Sequence, residues 1–353
     1  MAQSIERQVR ILRERGHTAY VVSSSEFEVD AQIHDRSVFS TRDPRYALRL
    51  PIRPKEHFRR LPEFDVAHLH TPFTYGVLGL MEARRRQLPC IYTHHTEFDH
   101  YLPYIPLASN ALGRAIYRRV YRLFLSRVQA VICPSYTALR QVERLAYAQR
   151  QRSIHVVQTP VFGMSADDNP LSRDRTFDIC CVGRLSVEKN IFLMAEVLQR
   201  VLEQRPQTKI AIVGEGKDRK SFERVFRDSE RARISFMGEV PHKDVLCILS
   251  RSRVFFQPSI SETQGLVVQE AWSVGTPVFL AQSPTATEFL SAGRNGWIAP
   301  PSAAQMSTLL ISVLTEGKDD AEGLREQCVS SIAKFKPEVW YKKYKTILDE
   351  VST

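Results

Sequence analysis

The chain has 353 residues, of which 43% are hydrophobic and 25% are charged, as in a globular protein long enough for two domains. It contains no run of 18 apolar residues and opens with MAQSIERQVR, which lacks an apolar core, so we expect neither a membrane-spanning helix nor a secretory signal. The net charge of +10, with clustered arginines, indicates an anionic partner such as a phosphate ligand, a lipid surface or nucleic acid. The six cysteines lack C-x-x-C spacing, and we expect buried thiols in a reducing cytoplasm.

In the first half of the chain, helical and strand-like patterns alternate. Residues 2–15 predict an amphipathic helix with Ile5, Val9 and Leu12 on its apolar face, and residues 19–22 predict a strand. Further strand-like runs lie at residues 66–69, 90–92, 130–133 and 154–157, which favours a parallel, doubly wound sheet. A Rossmann unit normally opens with a strand and a glycine-rich turn. The pattern therefore predicts that this first strand is absent, through a misassigned start, truncation or degeneration.

The second half repeats the alternation after a break. Residues 159–176 are rich in Pro, Ser and Asp without a sustained period and predict a linker. Strand-like runs then recur at residues 178–182, 209–213, 234–237, 254–256 and 277–280. The expected fold class is α/β, with two Rossmann-like domains of parallel sheets, 1–158 and 177–335, facing each other across a cleft. A C-terminal helix follows at 336–353, with a path that can cross back to the N-terminal domain.

Two glutamates bracket a predicted helix start in PSISETQGLVVQEA, residues 258–271. A helix N-terminus offers unpaired N–H groups and a partial positive charge, which suit a diphosphate, and Gly265 allows a close approach of the backbone. Glu262 precedes this site, and Glu270 lies roughly 7 Å beyond Gly265 along the helix axis. That is about the distance from a diphosphate to its ribose, so the pair can bracket a sugar nucleotide. The simpler interpretation is two solvent-exposed acids near a helix start.

Two glycine-containing loops follow predicted strands in this half. GRLSVEKN places Arg184 and Lys189 at the carboxyl end of a strand, where open α/β sheets bind ligands. Two cations there can neutralise a diphosphate leaving group, although each alone is equally consistent with a solvated charge. GEGKDR is neither a P-loop nor a dinucleotide fingerprint, and it predicts only a tight turn near a ligand.

The motifs occur in a specific order: GRL-x3-KN, VGEG, F-x-G-x-V, PS-x-SET-x-GLV-x2-EA and GTPV, preceded in the first half by D-x-x-H-x-HTPF and THHTEFDHYLPY. This order resembles the retaining glycosyltransferases of family 4, which have the two-Rossmann GT-B architecture, over nearly the whole chain. THHTEFDHYLPY is similar to a segment of the subgroup that glycosylates membrane lipids such as diacylglycerol. The chain departs from the family at Gln264, where phenylalanine is usual, and at the absent first strand.

The resemblance implies a metal-independent transferase that moves a sugar, with glucose as the first candidate, from a UDP-sugar to a hydroxyl of a membrane lipid. His95 and Glu262 would be catalytic and contact the donor sugar, and Glu270 would bind the ribose. By the same resemblance, the donor diphosphate would be bound by Arg184, Lys189, Gly265, Leu266 and Val267. The base would be bound by Met237, Gly238 and Val240, and the acceptor side would be formed by Thr96, Tyr101 and Tyr104. A sugar-nucleotide-binding remnant without activity is the alternative, and a GT-B epimerase is disfavoured by the E-x7-E spacing.

No cofactor and no metal are expected. The sequence contains no D-x-D, and Arg184, Lys189 and a helix dipole can stabilise a departing diphosphate without an ion. Zinc at the four histidines 68, 70, 94 and 95 is disfavoured, since no cysteine or carboxylate is placed to complete a site, and His70 is expected to be structural. No glycosidase-like carboxylate pair is evident. The expected chemistry is same-face substitution, in which a diphosphate oxygen helps to deprotonate the incoming hydroxyl.

Residues 110–127 predict a basic amphipathic helix. Arg114, Arg118, Arg119 and Arg122 fall on an arc of roughly 140°, and the other side carries Ile116, Tyr117, Val120, Tyr121, Leu123 and Phe124. This pattern favours a helix that lies on an anionic membrane surface, and the alternative is a Rossmann helix with an arginine-coated solvent face. We therefore expect a cytoplasmic protein peripherally bound to the inner face of a membrane. No nucleic-acid-binding motif and no obligate protein partner are evident.

Overall fold

The computed structural model describes residues 2–23, 31–32, 35–39, 48–51, 61–95, 111–146, 153–163, 175–317 and 323–352. The chain divides into two compact units, Met1–Pro160 with Pro337–Thr353, and Val161–Lys336. Each unit contains a parallel sheet with helices, so the predicted α/β class is confirmed. The predicted acceptor-side residues Thr96, Tyr101 and Tyr104 lie outside the described residues, as do residues 164–174 of the predicted linker.

Unit 1 begins with helix α1 (Ala2–Glu14) and contains a four-stranded parallel sheet. Its strands are β1 (Val22–Ser23), β2 (Ala31–Gln32), β3 (Asp35–Phe39), β4 (Leu48–Pro51), β5 (Ala67–Leu69), β6 (Cys90–Thr93), β7 (Ala130–Cys133) and β8 (Ser153–Val156). The intervening helices are α2 (Thr74–Arg85), α3 (Ala111–Leu125) and α4 (Tyr136–Ala146). The main sheet has the order β5-β6-β7-β8, β1 pairs in parallel with β2, and β3 pairs antiparallel with β4. Both central strands, β6 and β7, are buried along their whole length, as expected for parallel strands.

Unit 2 contains a six-stranded parallel sheet in the order β11-β10-β9-β12-β13-β14. Its strands are β9 (Phe177–Val182), β10 (Ile210–Val213), β11 (Ile234–Gly238), β12 (Ser252–Gln257), β13 (Val278–Ala281) and β14 (Gly296–Ala299). Its helices are α5 (Ile191–Gln204), α6 (Arg219–Glu223), α7 (Asp228–Arg231), α8 (His242–Ser250), α9 (Leu266–Ser273), α10 (Pro284–Phe289), α11 (Ala303–Thr315) and α12 (Leu324–Ser331). The strand order is that of the dinucleotide-binding Rossmann fold, so β9 and β12 form its topological switch point.

Two apolar clusters cover the two faces of the unit 2 sheet. Side chains alternate between faces along a strand, so Ile179 and Cys181 join one cluster and Cys180 joins the other. One cluster includes residues of α5 and α11, and the other includes residues of α8, α9 and α12. Helices therefore cover the sheet on both sides, and loops line the edge formed by the carboxyl ends of its strands.

The chain ends in helix α13 (Pro337–Ser352), which packs within unit 1. Trp340, Tyr344 and Ile347 are buried. The hydroxyl of Tyr341 lies 2.9 Å from Nε2 of His17, beyond the end of α1. These contacts hold the C-terminal helix against the beginning of the chain.

Candidate functional site

The two loops singled out from the sequence follow the two strands of the switch point in unit 2. β9 pairs in parallel with β12, with Ile179 opposite Val254, so their carboxyl ends lie side by side. GRLSVEKN follows β9, and PSISETQG follows β12. In an open α/β sheet this is the edge at which ligands bind.

Lys189 and Glu262 form a direct ion pair at this edge. The Lys189 Nζ lies 2.5 Å from Glu262 Oε1, and the two side chains are only 23% and 18% exposed. The amide of Gln257, the last residue of β12, donates to the same oxygen over 3.2 Å. Burial by itself would raise the pKa of Glu262, but the Lys189 ammonium, with a smaller contribution from the Arg184 guanidinium, lowers it, so the net pKa lies below the ordinary value. Glu262 is therefore held as a carboxylate.

The loop after β9 is tied to the loop after β12. Ser261 Oγ donates to the carbonyl of Glu188 over 2.9 Å, and Asn190 Nδ2 donates to the carbonyl of Pro258 over 3.2 Å. Arg184 lies in the same loop, with Nη1 3.5 Å from Glu188 Oε1 and 37% of its side chain exposed. Both predicted phosphate-binding cations therefore belong to one cross-braced pair of loops.

The predicted turn GEG packs directly on the GRL loop. A Cβ atom added to Gly214 would lie 2.0 Å from the carbonyl oxygen of Gly183, and one added to Gly216 would lie 2.0 Å from that of Leu185. No side chain fits in these gaps. The glycines of GEG are thus needed for the close approach of two loop backbones at the carboxyl edge.

The predicted phosphate-binding segment Gly265, Leu266 and Val267 begins helix α9. Gly265 has φ +75°, in the left-handed region that favours glycine, and its carbonyl accepts from the N–H of Val268 over 2.9 Å. Gly265 is the eighth residue after the end of β12, and Glu262 lies on the same connecting segment.

Glu270 lies inside α9 and is 2% exposed. Its Oε1 is 3.0 Å from Nε2 of His242, which opens α8 and is 35% exposed. The sequence reasoning missed His242. The available signal is a histidine two residues after the Met237–Val240 turn, for which the resemblance implies a role at the base.

An arginine–glutamate pair lies beside that turn and was also missed. A Cβ on Gly238 would meet Glu215 Oε1 at 3.0 Å and Arg219 Nη1 at 3.3 Å. Arg219 pairs with Glu215 and, over 2.6 Å, with Glu223. The carbonyl of Gly238 accepts from the N–H of Gly214 over 2.7 Å. The turn predicted to frame the base is therefore bonded to the GEG loop and lies against this charged pair.

Gln264, where the family usually has phenylalanine, is almost fully buried and bonds to Gln269. Gln264 Nε2 donates to Gln269 Oε1, and Gln269 Nε2 donates to the backbone carbonyl of Gln264, each over 3.0 Å. The two residues are 4% and 0% exposed. The amide pair satisfies its own buried polar groups and fixes the segment between Glu262 and Glu270.

The four histidines singled out from the sequence, at positions 68, 70, 94 and 95, lie on opposite faces of the unit 1 sheet. His70 Nδ1 is 2.8 Å from His95 Nε2, whereas His94 Nδ1 faces the other side and is 2.8 Å from the hydroxyl of Tyr121. Among the residues that the structure describes, no group of three or more His, Cys, Asp or Glu side chains is arranged to hold a metal ion. These four histidines bond to each other, to hydroxyl groups and, at His94, to the side-chain amide of Gln141.

Helix α3 differs from the single apolar face expected of it. Tyr121, Phe124 and Leu125 are buried in the core of unit 1. The aliphatic side chains at every third or fourth position instead face solvent: Leu112 (69% exposed), Ile116 (55%), Val120 (51%) and Leu123 (44%). The four arginines 114, 118, 119 and 122 are also exposed. Within the described parts of the chain, no helix has the length and apolarity needed to cross a membrane.

Two known families match successive parts of the chain. Residues 1–161 match the family described as Glycosyltransferase Family 4, and residues 166–332 match the family described as Glycosyl transferases group 1. Among curated proteins, the chain is similar to the alpha-monoglucosyldiacylglycerol synthase of Acholeplasma laidlawii, with 25% identity over 305 residues that cover 80% of this chain and 76% of that protein. The protein of the same name from Streptococcus pneumoniae is 24% identical over 313 residues, covering 82% of this chain and 70% of its own.

Solved structures share the fold at low sequence identity. The Anabaena Alr3699/HepE structure in complex with UDP-glucose has a TM-score of 0.68 and 16% identity, over 84% of this chain and 82% of that one. The pneumococcal O-GlcNAc transferase GtfA, in complex with UDP and GlcNAc, has a TM-score of 0.60 and 18% identity, over 78% of this chain. The chain spans 55% of the length of that second protein.

Proposed function

Since the chain belongs to the GT-B glycosyltransferases, with a family 4 first half and a group 1 second half, we propose that it transfers a sugar with retention from a UDP-sugar to a hydroxyl of a membrane lipid. Glucose is the first candidate for the sugar. Both curated synthases of similar sequence are named for glucosyldiacylglycerol, and the Anabaena structure of similar fold holds UDP-glucose. A glycerolipid with a free hydroxyl is accordingly the first acceptor to test.

The observation that carries this proposal is the Lys189–Glu262 pair at the switch point. In our assignment Arg184 and Lys189 bind the donor diphosphate with the backbone at Gly265, and Glu262 accepts hydroxyl groups of the donor sugar. The carboxylate of Glu262 repels phosphate. Lys189, whose Nζ lies 2.5 Å from Glu262 Oε1, offsets this repulsion, so that Glu262 and the phosphate-binding groups can contact the same ligand. Glu270 serves the ribose, the Met237–Val240 turn frames the base, and His95 contacts the donor sugar.

The transfer step needs no metal ion in this proposal. Arg184 and Lys189 stabilise the negative charge that develops on the leaving diphosphate, together with the dipole of α9. The bond between the anomeric carbon and the diphosphate oxygen breaks as the acceptor oxygen bonds to the same face of that carbon. The acceptor proton passes to an oxygen of the departing diphosphate, so UDP and the glycoside are the products.

Transfer of labelled glucose from UDP-glucose to diacylglycerol in vesicles tests the assignment. We expect Glu262→Gln to abolish or greatly lower transfer and to leave UDP affinity, measured by calorimetry, nearly intact, because its partner is the sugar. Glu196→Gln is the matched control, since that glutamate lies on the exposed side of α5 with 55% of its side chain accessible. Unchanged turnover in Glu262→Gln would refute the assignment. If the wild-type protein binds UDP but transfers no sugar, the chain is instead a sugar-nucleotide-binding remnant without activity.

Helix α3 is proposed as the contact with the membrane. Its exposed stripe of Leu112, Ile116, Val120 and Leu123 carries aliphatic side chains that are stabilised by leaving water. The flanking arginines each contribute about 1 kcal/mol near an anionic surface, so the helix suits a leaflet rich in acidic lipids. This would place the enzyme at the face of a membrane, next to a lipid acceptor.

Vesicle sedimentation tests the membrane contact. Vesicles containing phosphatidylglycerol should bind the protein, and phosphatidylcholine vesicles should bind it weakly. Ile116→Asp should lower binding about tenfold or more, because it removes apolar burial and adds a repelled charge. Met81→Asp is the control, since Met81 is 62% exposed on another helix of the same unit. Equal losses in both variants would argue against a specific role for α3.

A further inference from the structure

The strand register of unit 1 brings three histidines together on one face of the sheet. β5 and β6 are parallel, with His68 opposite Ile91, so alternate positions of the two strands share a face. His68 and His70 therefore lie on the same side as Thr93 and His95. Nε2 of His68 is 2.7 Å from the hydroxyl of Thr93, and Nδ1 of His70 is 2.8 Å from Nε2 of His95.

These rings continue a column of aromatic side chains that starts on the C-terminal helix. Trp340 stacks on Tyr344 with 4.7 Å between ring centroids, and Tyr344 stacks on His68 at 5.3 Å. The rings of His68 and His70 are 4.1 Å apart, and those of His70 and His95 are 5.0 Å apart. The Tyr344 hydroxyl is also 3.0 Å from Nδ1 of His68. His70 is thus held between two rings, and its edge is presented to His95.

The hydrogen bond between His70 and His95 couples their tautomers. Burial lowers the pKa of both residues well below the ordinary value, so both rings are neutral near pH 7. A neutral imidazole has one N–H donor and one acceptor nitrogen, so one of the two facing nitrogens carries the proton and the other accepts. The direction of the bond then decides whether Nδ1 of His95 carries a proton.

We propose that His70 is a positioning residue that fixes the tautomer and the ring orientation of His95. The inference rests on the role proposed above for His95 at the donor sugar. The hydrogen-bonding character that His95 offers to a sugar hydroxyl, donor or acceptor, is set by His70 and not by bulk solvent. His70 acts through His95 and has no contact with substrate in this scheme.

Three substitutions of His70 test whether its hydrogen bond to His95 or only its side-chain volume matters. The amide of asparagine reaches the place of Nδ1, whereas the amide of glutamine reaches the place of Nε2, and phenylalanine keeps a ring without nitrogen. Because the bond uses Nδ1, we expect His70→Asn to keep most of the kcat for transfer from UDP-glucose. His70→Gln and His70→Phe should lower kcat about tenfold to a hundredfold. UDP affinity should stay within about twofold in all three, since UDP binding is assigned to unit 2.

The ring nitrogens of His95 give a readout that does not need activity. In the full-length protein labelled with ¹⁵N-histidine, and assigned by comparison with His95→Gln, the wild type should show one neutral tautomer at His95. His70→Phe should shift these signals towards a mixture of tautomers, and His70→Asn should restore a single one. This measurement stands even if the wild type transfers no glucose, an outcome that would remove the proposed function alone.

Two results would overturn the inference. One is a mixture of tautomers at His95 in the wild type, or signals that do not change in His70→Phe. The other is equal rescue by asparagine and glutamine, which would show that only polarity or volume matters at this position. Melting temperatures of all variants identify any loss of activity that comes from unfolding, and a mixture of tautomers in the wild-type spectrum overturns the inference even if each variant is unstable.

Discussion

Removing the lysine of the Lys189–Glu262 pair should destabilise unit 2 in a pH-dependent manner. In Lys189→Met the buried carboxylate of Glu262 keeps the amide of Gln257 but loses its cation. An exposed ion pair contributes at most about 1 kcal/mol, and breaking a fully buried one costs about 3–5 kcal/mol. Since the two side chains are 23% and 18% exposed, we expect a loss of about 2 kcal/mol in the free energy of unfolding.

The loss corresponds to a fall of about 4–8 °C in melting temperature for a folding unit of this size. In the wild type, the pKa of Glu262 is lowered on folding, so the pair stabilises the fold above the unfolded pKa and the effect disappears as pH falls through the folded pKa. In Lys189→Met, burial raises the pKa of Glu262, and protonation removes the unpaired charge. The difference in melting temperature should therefore be largest near pH 8 and should shrink as pH falls towards about 4.

Thermal unfolding followed by circular dichroism, without UDP, measures this difference. The double variant Lys189→Met with Glu262→Gln removes both charges and should return to within about 1 kcal/mol of the wild type, so the two substitutions should be strongly non-additive. An equal fall in melting temperature at pH 8 and pH 4, or additive effects in the double variant, would refute the reasoning.

Three further outcomes are expected. Arg184→Ala should weaken UDP binding about tenfold or more, because a charge-assisted hydrogen bond to phosphate contributes about 1.5–3 kcal/mol, and calorimetry that shows unaltered affinity would place Arg184 outside the site. Gln264→Ala should lower the free energy of unfolding by about 1–3 kcal/mol, since it leaves the buried Oε1 of Gln269 without its donor, whereas Gln269 Nε2 keeps the backbone carbonyl at position 264. Denaturant titration measures the loss, with the partly exposed Gln199→Ala, which removes one hydrogen bond to the carbonyl of Val225, as the comparison. Transfer should survive EDTA, and a full loss restored by manganese would contradict the proposed mechanism.

The interior strands could be predicted from the sequence because parallel strands covered on both faces are continuous apolar runs. β7 occupies residues 130–133, as expected, and β10 and β12 lie within one or two residues of their predicted positions. β14 was missed. It is a four-residue edge strand that begins with a glycine and is only partly buried, so its apolar signal is weak. The apolar pattern is therefore weakest in a short edge strand that contains glycine and is only partly buried.

In helix α1, hydrophobic periodicity predicts the helix but not which of its side chains are buried. The predicted apolar residues Ile5 and Val9 are only half-buried, whereas Ser4 and Arg7 are buried and bond to the end of the first segment of unit 1. The hydroxyl of Ser4 is 3.3 Å from that of Thr159. A polar face that is buried through specific hydrogen bonds has no signature in hydrophobicity alone.

At the candidate site, the sequence predicts a set of residues but not how their side chains pair. The resemblance implies separate roles for Lys189 at the diphosphate and Glu262 at the sugar, whereas their contact joins residues 73 positions apart. Gln264 was seen only as a departure from the family. Its partner Gln269, five residues later, does not follow a helical or strand period, so the interlocked amides could not be anticipated.

The return of α13 to unit 1 has a consequence for the order of folding during synthesis. Domains usually fold as units from the N-terminus as the chain emerges. Here Val161–Lys336 is one uninterrupted segment, whereas unit 1 is completed only by Pro337–Thr353. The hydrogen bond between Tyr344 and His68 joins residues 276 positions apart. Unit 2 can therefore fold first as the chain is synthesised, and the column of aromatic side chains in unit 1 gains Trp340 and Tyr344 only after α13 has been synthesised.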